Sequence, residues 1–311
     1  MENKVVIALD AMGGDYAPVE TVKGAVEAVN ENKGMKVILV GREEEIKSEL
    51  AKYTYEEASI EIVNATEIID MGEVPTKAIR EKKDSSLVVA MKLVRDGKAD
   101  AIVSAGSTGA ILVGGQLVVG RIKGIKRPAL APFLPSKNGF SLLIDCGANV
   151  DARPEHLVQF AQMGSVYFEN VMGKTYPLLR DCKNINFVGS VEARDIAKGG
   201  TDILVCEAFV GNVILKFFEG VAKTFLGCIK EGIMKSLRTK IGGMLIKPAL
   251  KGLLKTFDVS SQGGAPLLGL KGLVVKAHGN SKSAEIKTAL GQCITFKENS
   301  INEKIQDKIQ A

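Results

Sequence analysis

Four short loops carry most of the residues that could do chemistry, and each follows an apolar, strand-like run: DAMGGD at 10–15, SAGSTGA at 104–110, DCGANVDARPEH at 145–156 and AFVGN at 208–212. Gly13 and Gly14 let the backbone take a positive φ and come close to a ligand. Asp10 and Asp15 bracket that pair, and an acid at a strand end can orient a turn, a hydroxyl or a cation. Ser104, Gly106, Ser107, Thr108 and Gly109 stand where a helix begins, so they offer N–H groups, hydroxyls and the favourable end of a helix dipole to an anion. The same residues serve equally well as a helix cap with glycines for close packing. Asp145 and Asp151 read as catalytic acids or as turn and cap residues, and Asn149 and Asn212 as amide donors or as turn residues. Neither G-x-G-x-x-G nor G-x-x-x-x-G-K-[ST] can be read here, so no nucleotide cofactor is expected.

The elements that must hold these loops follow from the hydrophobic pattern. Apolar runs at 5–9, 36–40, 60–63, 100–103, 141–145, 185–188, 203–206 and 272–276 alternate with helix-like segments such as VETVKGAVEAVNEN and SSLVVAMKLVRDGK. That is the signature of an α/β protein with a mostly parallel sheet covered on both faces, in which ligands gather at the carboxyl ends of the strands. The 311 residues, 46% hydrophobic and 25% charged, suffice for a large core. With no repeat and no low-complexity linker, the chain reads as a single large domain over 1–311.

Neither a basic segment leading into a long apolar stretch nor a window of about 18 apolar residues occurs, so a soluble, cytoplasmic protein is expected. Cys146, Cys182, Cys206, Cys228 and Cys293 are scattered without a C-x-x-C pair and read as free thiols. His156 and His278 are the two histidines, too few for a His-based metal site, so no metal is expected. The formal charge of +5 is concentrated: seven bases face one acid between Cys228 and Phe257. Around that patch, over 226–258, Ile229, Ile233, Leu237, Ile241 and Leu245 step by four. Leu250, Leu253, Leu254 and Phe257 keep helical spacing after Pro248, beside a row formed by Lys247, Lys251 and Lys255. An amphipathic helical hairpin protruding from the sheet is expected, either packing into a dimer or lying on a membrane. Aromatic residues do not interleave with the bases, which argues against nucleic acid.

Taken together, ALDAMGGDYAP, KKDSSLVVA, KADAIVSAGSTGA, RPALAPFLP, DCGANVDARPEHLVQFAQMGSVY, INFVGSVEARD, FVGNVILKFFEG, GGAPLLG and KAHGNSKS resemble the PlsX family of phosphate acyltransferases of bacterial phospholipid synthesis, in order and over nearly the whole chain. The resemblance implies a three-layer α/β/α sandwich similar to the isopropylmalate dehydrogenase and phosphotransacetylase folds, and a homodimer. It implies transfer of a long acyl chain from acyl carrier protein to inorganic phosphate, with the acyl phosphate passing to a membrane glycerol-3-phosphate acyltransferase. Asn212 is then expected to be catalytic, as an oxyanion donor. Asp10, Gly13, Gly14, Ser104, Gly106, Ser107, Thr108, Gly109, Asp145, Asn149 and His278 are expected at the phosphate and substrate site, with Asp10 and Asp15 holding the loop rather than touching phosphate, since a carboxylate repels it. Phosphate is already partly a dianion near neutral pH, so direct attack needs no Ser or Cys nucleophile.

A substrate with a long acyl chain tips the basic segment toward an anionic membrane surface, with Ile241, Met244, Leu245, Leu250, Leu253 and Leu254 making contact and localisation peripheral to the inner face of the membrane. One departure stands out. Family members carry about two dozen further residues after the segment matching GKTYP, including a loop N-x-G-x-E-x-x-K-G whose lysine is thought catalytic; here TYP runs directly into LLRDC, and no lysine matches. Pro177 and Leu178 are therefore expected to be further apart than one peptide bond. Two rivals stay open: an NAD-dependent decarboxylating dehydrogenase of the same fold, and a non-catalytic membrane-surface scaffold.

Overall fold

A strand covered on both faces needs apolar side chains on both, and the run Val5 to Leu9 supplies them. In a computed structural model of the protein, the described residues are 4–137, 139–149, 151–171, 191–256 and 263–310, side chains excepted at 169–171, 251 and 253–256. Along the chain come β1 (Val5–Asp10), α1 (Val19–Glu31), β2 (Met35–Gly41), α2 (Glu43–Leu50), β3 (Ile60–Asn64), α3 (Pro75–Glu81), α4 (Ser86–Arg95), β4 (Ala101–Ser104) and α5 (Thr108–Gly114). The second half holds β5 (Ala129–Leu130), β6 (Phe133–Ser136), β7 (Gly139–Ile144), α6 (Pro154–Val171), β8 (Ile203–Val205), α7 (Ala208–Met234), α8 (Leu237–Thr256), β9 (Ala265–Leu268), β10 (Leu273–Lys276), α9 (Ser283–Glu298) and α10 (Ile301–Gln310).

Seven strands form one sheet in the order β3-β2-β1-β4-β10-β9-β5, and β6-β7-β8 form a second. The first five run parallel, with Ile7 beside Val37 and Ala101, and Val274 beside Ile102. The pairs β9 with β10, β5 with β9 and β6 with β7 are antiparallel. Residues 129–136 join the two sheets: Leu130 pairs with Leu267, while its carbonyl accepts from Cys146 N at 3.2 Å.

Alternation along the strands divides the core into two layers. Ile7, Leu9, Val37, Leu39, Val103 and Val275 pack with Val22 and Val26 of α1 and with Ile286 and Leu290 of α9. Their neighbours Ala8, Ile38, Val40, Ile102 and Val274 face the other way, onto Val88 and Met91 of α4 and Ile111 of α5. Helices thus cover both sides of a mostly parallel sheet, as expected. The apolar run at 185–188, Cys182, and the join between Pro177 and Leu178 lie outside the described residues. Cys146, Cys206, Cys228 and Cys293 are free thiols.

The basic segment differs in extent from the expected 226–258. Its first helix begins at Ala208, at the edge of the loop cluster, and α8 follows after a break at Lys235 and Ser236. The two helices touch near that break, where a Cβ on Gly243 would lie 2.4 Å from Ile233. Among the described residues, no helix is long and apolar enough to cross a membrane.

Candidate active site

Parallel strands deliver their following loops to one edge of the sheet, and here the loops after β1 and β4 interlock with the segment after β10 by close backbone approach. Gly13 lies against the loop after β4, where a Cβ would stand 2.9 Å from Gly106 N and 2.5 Å from Asp10 Oδ2. Gly14 takes φ +104°, open to glycine. The next residue, Asp15, donates its N–H to Gly279 O at 2.8 Å, tying in the segment after β10.

Asp10 ends β1 and is buried. Its Oδ2 accepts from Ser104 Oγ at 2.7 Å, and Ser104 Oγ accepts in turn from Gly106 N at 3.0 Å. This relay fixes the turn that leads into α5. Oδ1 of Asp10 is buried with no hydrogen-bond partner among the described residues. Burial raises the pKa of this carboxyl. Ser107 caps α5, accepting from Ala110 N at 3.5 Å, and Gly109 lies against Pro75, leaving no room for a Cβ. Thr108 is exposed at the mouth of the loop.

Asp145 follows β7 and is also buried, but both of its oxygens are taken. Oδ1 accepts from Leu130 N at 2.9 Å and Ala148 N at 3.2 Å; Oδ2 accepts from Asn149 N at 3.0 Å and Asn149 Nδ2 at 2.7 Å. The Asn149 amide also donates to Pro128 O at 2.8 Å. These two residues clamp the DCGAN loop onto the join between the sheets. Burial raises the Asp145 pKa against the pull of those donors. Asp151 is exposed.

The fourth loop is the first turn of α7. Glu207 caps it, accepting from Phe209 N at 2.9 Å and Val210 N at 2.6 Å, where an acid suits the positive end of the dipole. Gly211 sits directly on Asp145, since a Cβ there would lie 1.9 Å from Asp145 O. That contact places Asn212 over Gly147, with the Asn212 side chain 3.8 Å from the Cβ position of Gly147.

Between these elements lies a cavity of about 530 Å³. Gly106, Thr108, Asn212 and His278 line it, together with Lys216 of α7 and Lys276 at the end of β10. Leu130, Pro132, Phe133 and Leu215 supply apolar wall. Of the expected site residues, Asp10, Gly13, Gly14, Ser104, Ser107, Gly109, Asp145 and Asn149 stand behind this lining and support it. Lys216 Nζ lies 3.5 Å from His278 Nε2 and 2.8 Å from Glu219 Oε2. Lys276 has a pKa lowered to about 8, through burial first and then the positive charge of Lys216, with Asp15 acting the other way. Neither lysine was singled out from the sequence, although both stand inside the motifs FVGNVILKFFEG and KAHGNSKS. The signal was there: a lysine ending a buried strand.

Comparison with known proteins gives the family and the fold. The family described as "Fatty acid synthesis protein" matches residues 5–177 and 169–304. A phosphate acyltransferase from Clostridium acetobutylicum is 46% identical, over 98% of this chain and 99% of its own. Another, from Clostridium novyi, is 46% identical over 98% of each. In the first of these, 98% of 311 residues is about 305, against 329 aligned positions, so about 24 positions of the relative have no counterpart here. Among solved structures, a phosphotransacetylase from Streptococcus pyogenes aligns over 99% of this chain and 95% of its own, at TM-score 0.57 and 16% identity. The EutD phosphotransacetylase from Staphylococcus aureus aligns over 94% and 95%, at TM-score 0.54 and 14% identity. The structures share the fold, and the sequence matches carry more: the chain belongs to the fatty acid synthesis protein family, with the phosphate acyltransferases.

Proposed function

We propose that the protein transfers a long-chain acyl group from the thioester of an acyl carrier protein to inorganic phosphate, releasing acyl phosphate and the free carrier thiol for phospholipid synthesis. The observation that carries this reading is a single cavity that joins a basic end to an apolar wall. Lys216 and Lys276, with Thr108, Asn212 and His278, offer charge and hydrogen-bond donors to a dianion. Leu130, Pro132, Phe133 and Leu215 offer surface to an acyl chain. Phosphate attacks the thioester carbonyl directly. Cys146 lines the cavity, but burial raises its pKa well above the ordinary thiol range, which leaves it a poor nucleophile. Asn212 serves as the donor to the tetrahedral oxyanion, an effect commonly worth about 3 kcal/mol per donor.

Two exposed surfaces support the partners assigned here. Phe209, Val213, Phe217, Val221 and Phe225 step by four along α7, with Phe209 and Phe217 each 72% exposed. A second copy of the chain is the cover we assign to this stripe, giving a homodimer. On α8, Ile241, Met244 and Leu245 are exposed beside Lys240 and Lys247, and Leu250 is half-buried. We assign this helix to an anionic membrane surface, from which the product reaches a membrane glycerol-3-phosphate acyltransferase. The side chains of Leu253 and Leu254 lie outside the described residues.

The test is release of carrier thiol from acylated carrier protein with and without phosphate. Thiol release that requires phosphate and yields acyl phosphate is the expected result. Release without phosphate, or an acyl-enzyme trapped from the thioester alone, overturns direct attack; no release in either condition favours a scaffold.

A further inference from the structure

Lys276 is placed unlike any other lysine described here. It ends β10, paired with Ser104 of β4 on one side and Ala265 of β9 on the other, so its backbone is held by the sheet where it lines the cavity. Its ammonium reaches the carbonyl of Ala277. Among the described residues, no carboxylate lies within 4.0 Å of it to form an ion pair.

The charged and titratable groups around it come from four elements. Lys216 and Glu219 come from α7, paired with one another at 2.8 Å. His278 follows β10 and lies 3.5 Å from Lys216 Nζ. Glu285 of α9 lines the same cavity and accepts from Lys282 N at 2.9 Å. Asp15, in the loop after β1, is the acid that acts on Lys276. A largely buried amine beside a second cation, with Glu219 and Glu285 engaged elsewhere and Asp15 alone acting on it, changes protonation state near the working pH.

Resting on the acyl-transfer reading above, we propose that Lys276 is the proton carrier of the reaction, giving a proton to the departing carrier sulfur and recovering one from the phosphate. The balance is complete. An oxygen of hydrogen phosphate forms the new C–O bond while the carbonyl π pair moves to oxygen. Collapse restores the carbonyl and breaks the C–S bond, with the electron pair leaving on sulfur. The Lys276 ammonium protonates that thiolate, and the resulting amine takes the proton of the P–OH group. Hydrogen phosphate dianion and thioester become acyl phosphate dianion and thiol, Lys276 ends as it began, and no co-reactant is needed. Lys216, exposed and paired with Glu219, holds the phosphate.

The experiment compares two thioesters of the same acyl chain, one an alkyl thioester and one an aryl thioester whose less basic thiolate leaves without a proton. With the alkyl thioester, Lys276→Arg, which keeps the charge but cannot give up its proton, should lose about 100-fold or more in kcat, while KM for phosphate stays within about threefold. The aryl thioester should restore most of that loss. An equal loss with both leaving groups overturns the proposal, since a merely structural role is blind to the leaving group. Should the variant fail to fold, the wild type alone decides. With phosphate saturating at every pH, its kcat/KM with the alkyl thioester should fall above about pH 8 and stay level with the aryl one; identical profiles refute the proposal. Wild type that releases no thiol in response to phosphate from either compound refutes the acyl-transfer reading itself, whereas normal wild-type turnover with an unaffected Lys276→Arg variant refutes the proton carrier alone.

Discussion

Adding one methyl group at Gly211 tests whether the first turn of α7 is held in place by the end of β7. An ideal Cβ there stands 1.9 Å from Asp145 O and 3.0 Å from Cys206 Sγ, so the helix must retreat by well over 1 Å to reach ordinary contact. Neither side yields easily. Asp145 is anchored by four N–H donors to its carboxyl and by its own N–H to Cys206 O at 3.2 Å, and the helix is fixed by its Glu207 cap. Against a gain of about 1 kcal/mol from replacing glycine by alanine within a helix, overpacking against backbone costs about 3 kcal/mol. The net expectation for Gly211→Ala is a loss of about 2 kcal/mol, measured by urea denaturation. The activity effect should be larger, because Asn212 and Lys216 ride on the displaced turn and a 1 Å misplacement can cost about 100-fold. Gly220→Ala is the control: same helix, with nothing within 4 Å of the added methyl. It should gain up to about 1 kcal/mol and keep full activity. A Gly211→Ala protein as stable and as active as wild type would refute the reasoning that this contact places the site.

Three further outcomes follow from the same geometry. Lys276 has a folded-state pKa of about 8 against an ordinary 10.5, so its burial as ammonium costs stability in full below about pH 8, and the cost fades as pH rises toward 10.5. Lys276→Met should therefore raise stability at pH 7 by an amount on the order of 3 kcal/mol while abolishing turnover, with the stability gap closing by about pH 10; a gap that widens with pH contradicts the assignment. Asp145→Asn should lose about 1–3 kcal/mol, because an NH2 group in place of one oxygen leaves a buried N–H of Leu130, Ala148 or Asn149 without an acceptor; urea melts that superimpose on wild type would mean that the clamp contributes nothing. Vesicle binding should require anionic lipid, weaken at high salt, and fall more than about 100-fold when Met244 and Leu245 are both changed to Asp, each being worth about 1.5–3 kcal/mol when buried in lipid; sedimentation of that variant as for wild type would remove α8 from the membrane contact.

Much of the sheet was legible because burial on both faces writes itself as an unbroken apolar run. Val5 to Leu9, Val37 to Val40 and Leu273 to Val275 are such runs. The strands around Ala129 to Ser136 and Ala265 to Leu268 were not legible, since Pro132, Pro135 and Pro266 interrupt them and each run is short. Their prolines sit where the two sheets meet and where antiparallel strands close the edge. The start of α7 was missed for a related reason: Gly211, Gly220 and Gly227 lower the helical signal, and for Gly211 the contact with Asp145 explains why no side chain is allowed. In the site, loops rich in glycine and hydroxyl residues were conspicuous, whereas the lysines were not. Lys276 reads in one dimension as the polar end of a strand. Only the neighbours that the sheet gives it, Ser104 and Ala265, place that end in the lining of a cavity.

The division between the residues first singled out and those that line the cavity has a physical cause. Asp10 and Asp145 stand at strand ends, where a carboxylate can collect N–H and O–H donors from the turn that follows. Asp145 collects four, and a carboxylate so engaged has little left for a ligand. Their conspicuous position in the sequence reflects the work of shaping loops. An anionic substrate requires the opposite: cations with few internal partners, held apart from carboxylates until the ligand arrives. Lys276 meets that requirement at some expense in stability, because its ammonium shares one cavity with Lys216, which Glu219 pairs, and has no ion-pair partner of its own among the described residues. On the proposed reading, a phosphate dianion entering there would relieve both costs at once, by screening the pair and by favouring the charged form of Lys276. On the same reading, part of the affinity for phosphate is stored as strain between like charges, while Asp10 and Asp145, which build the loops, already hold hydrogen-bond donors of their own.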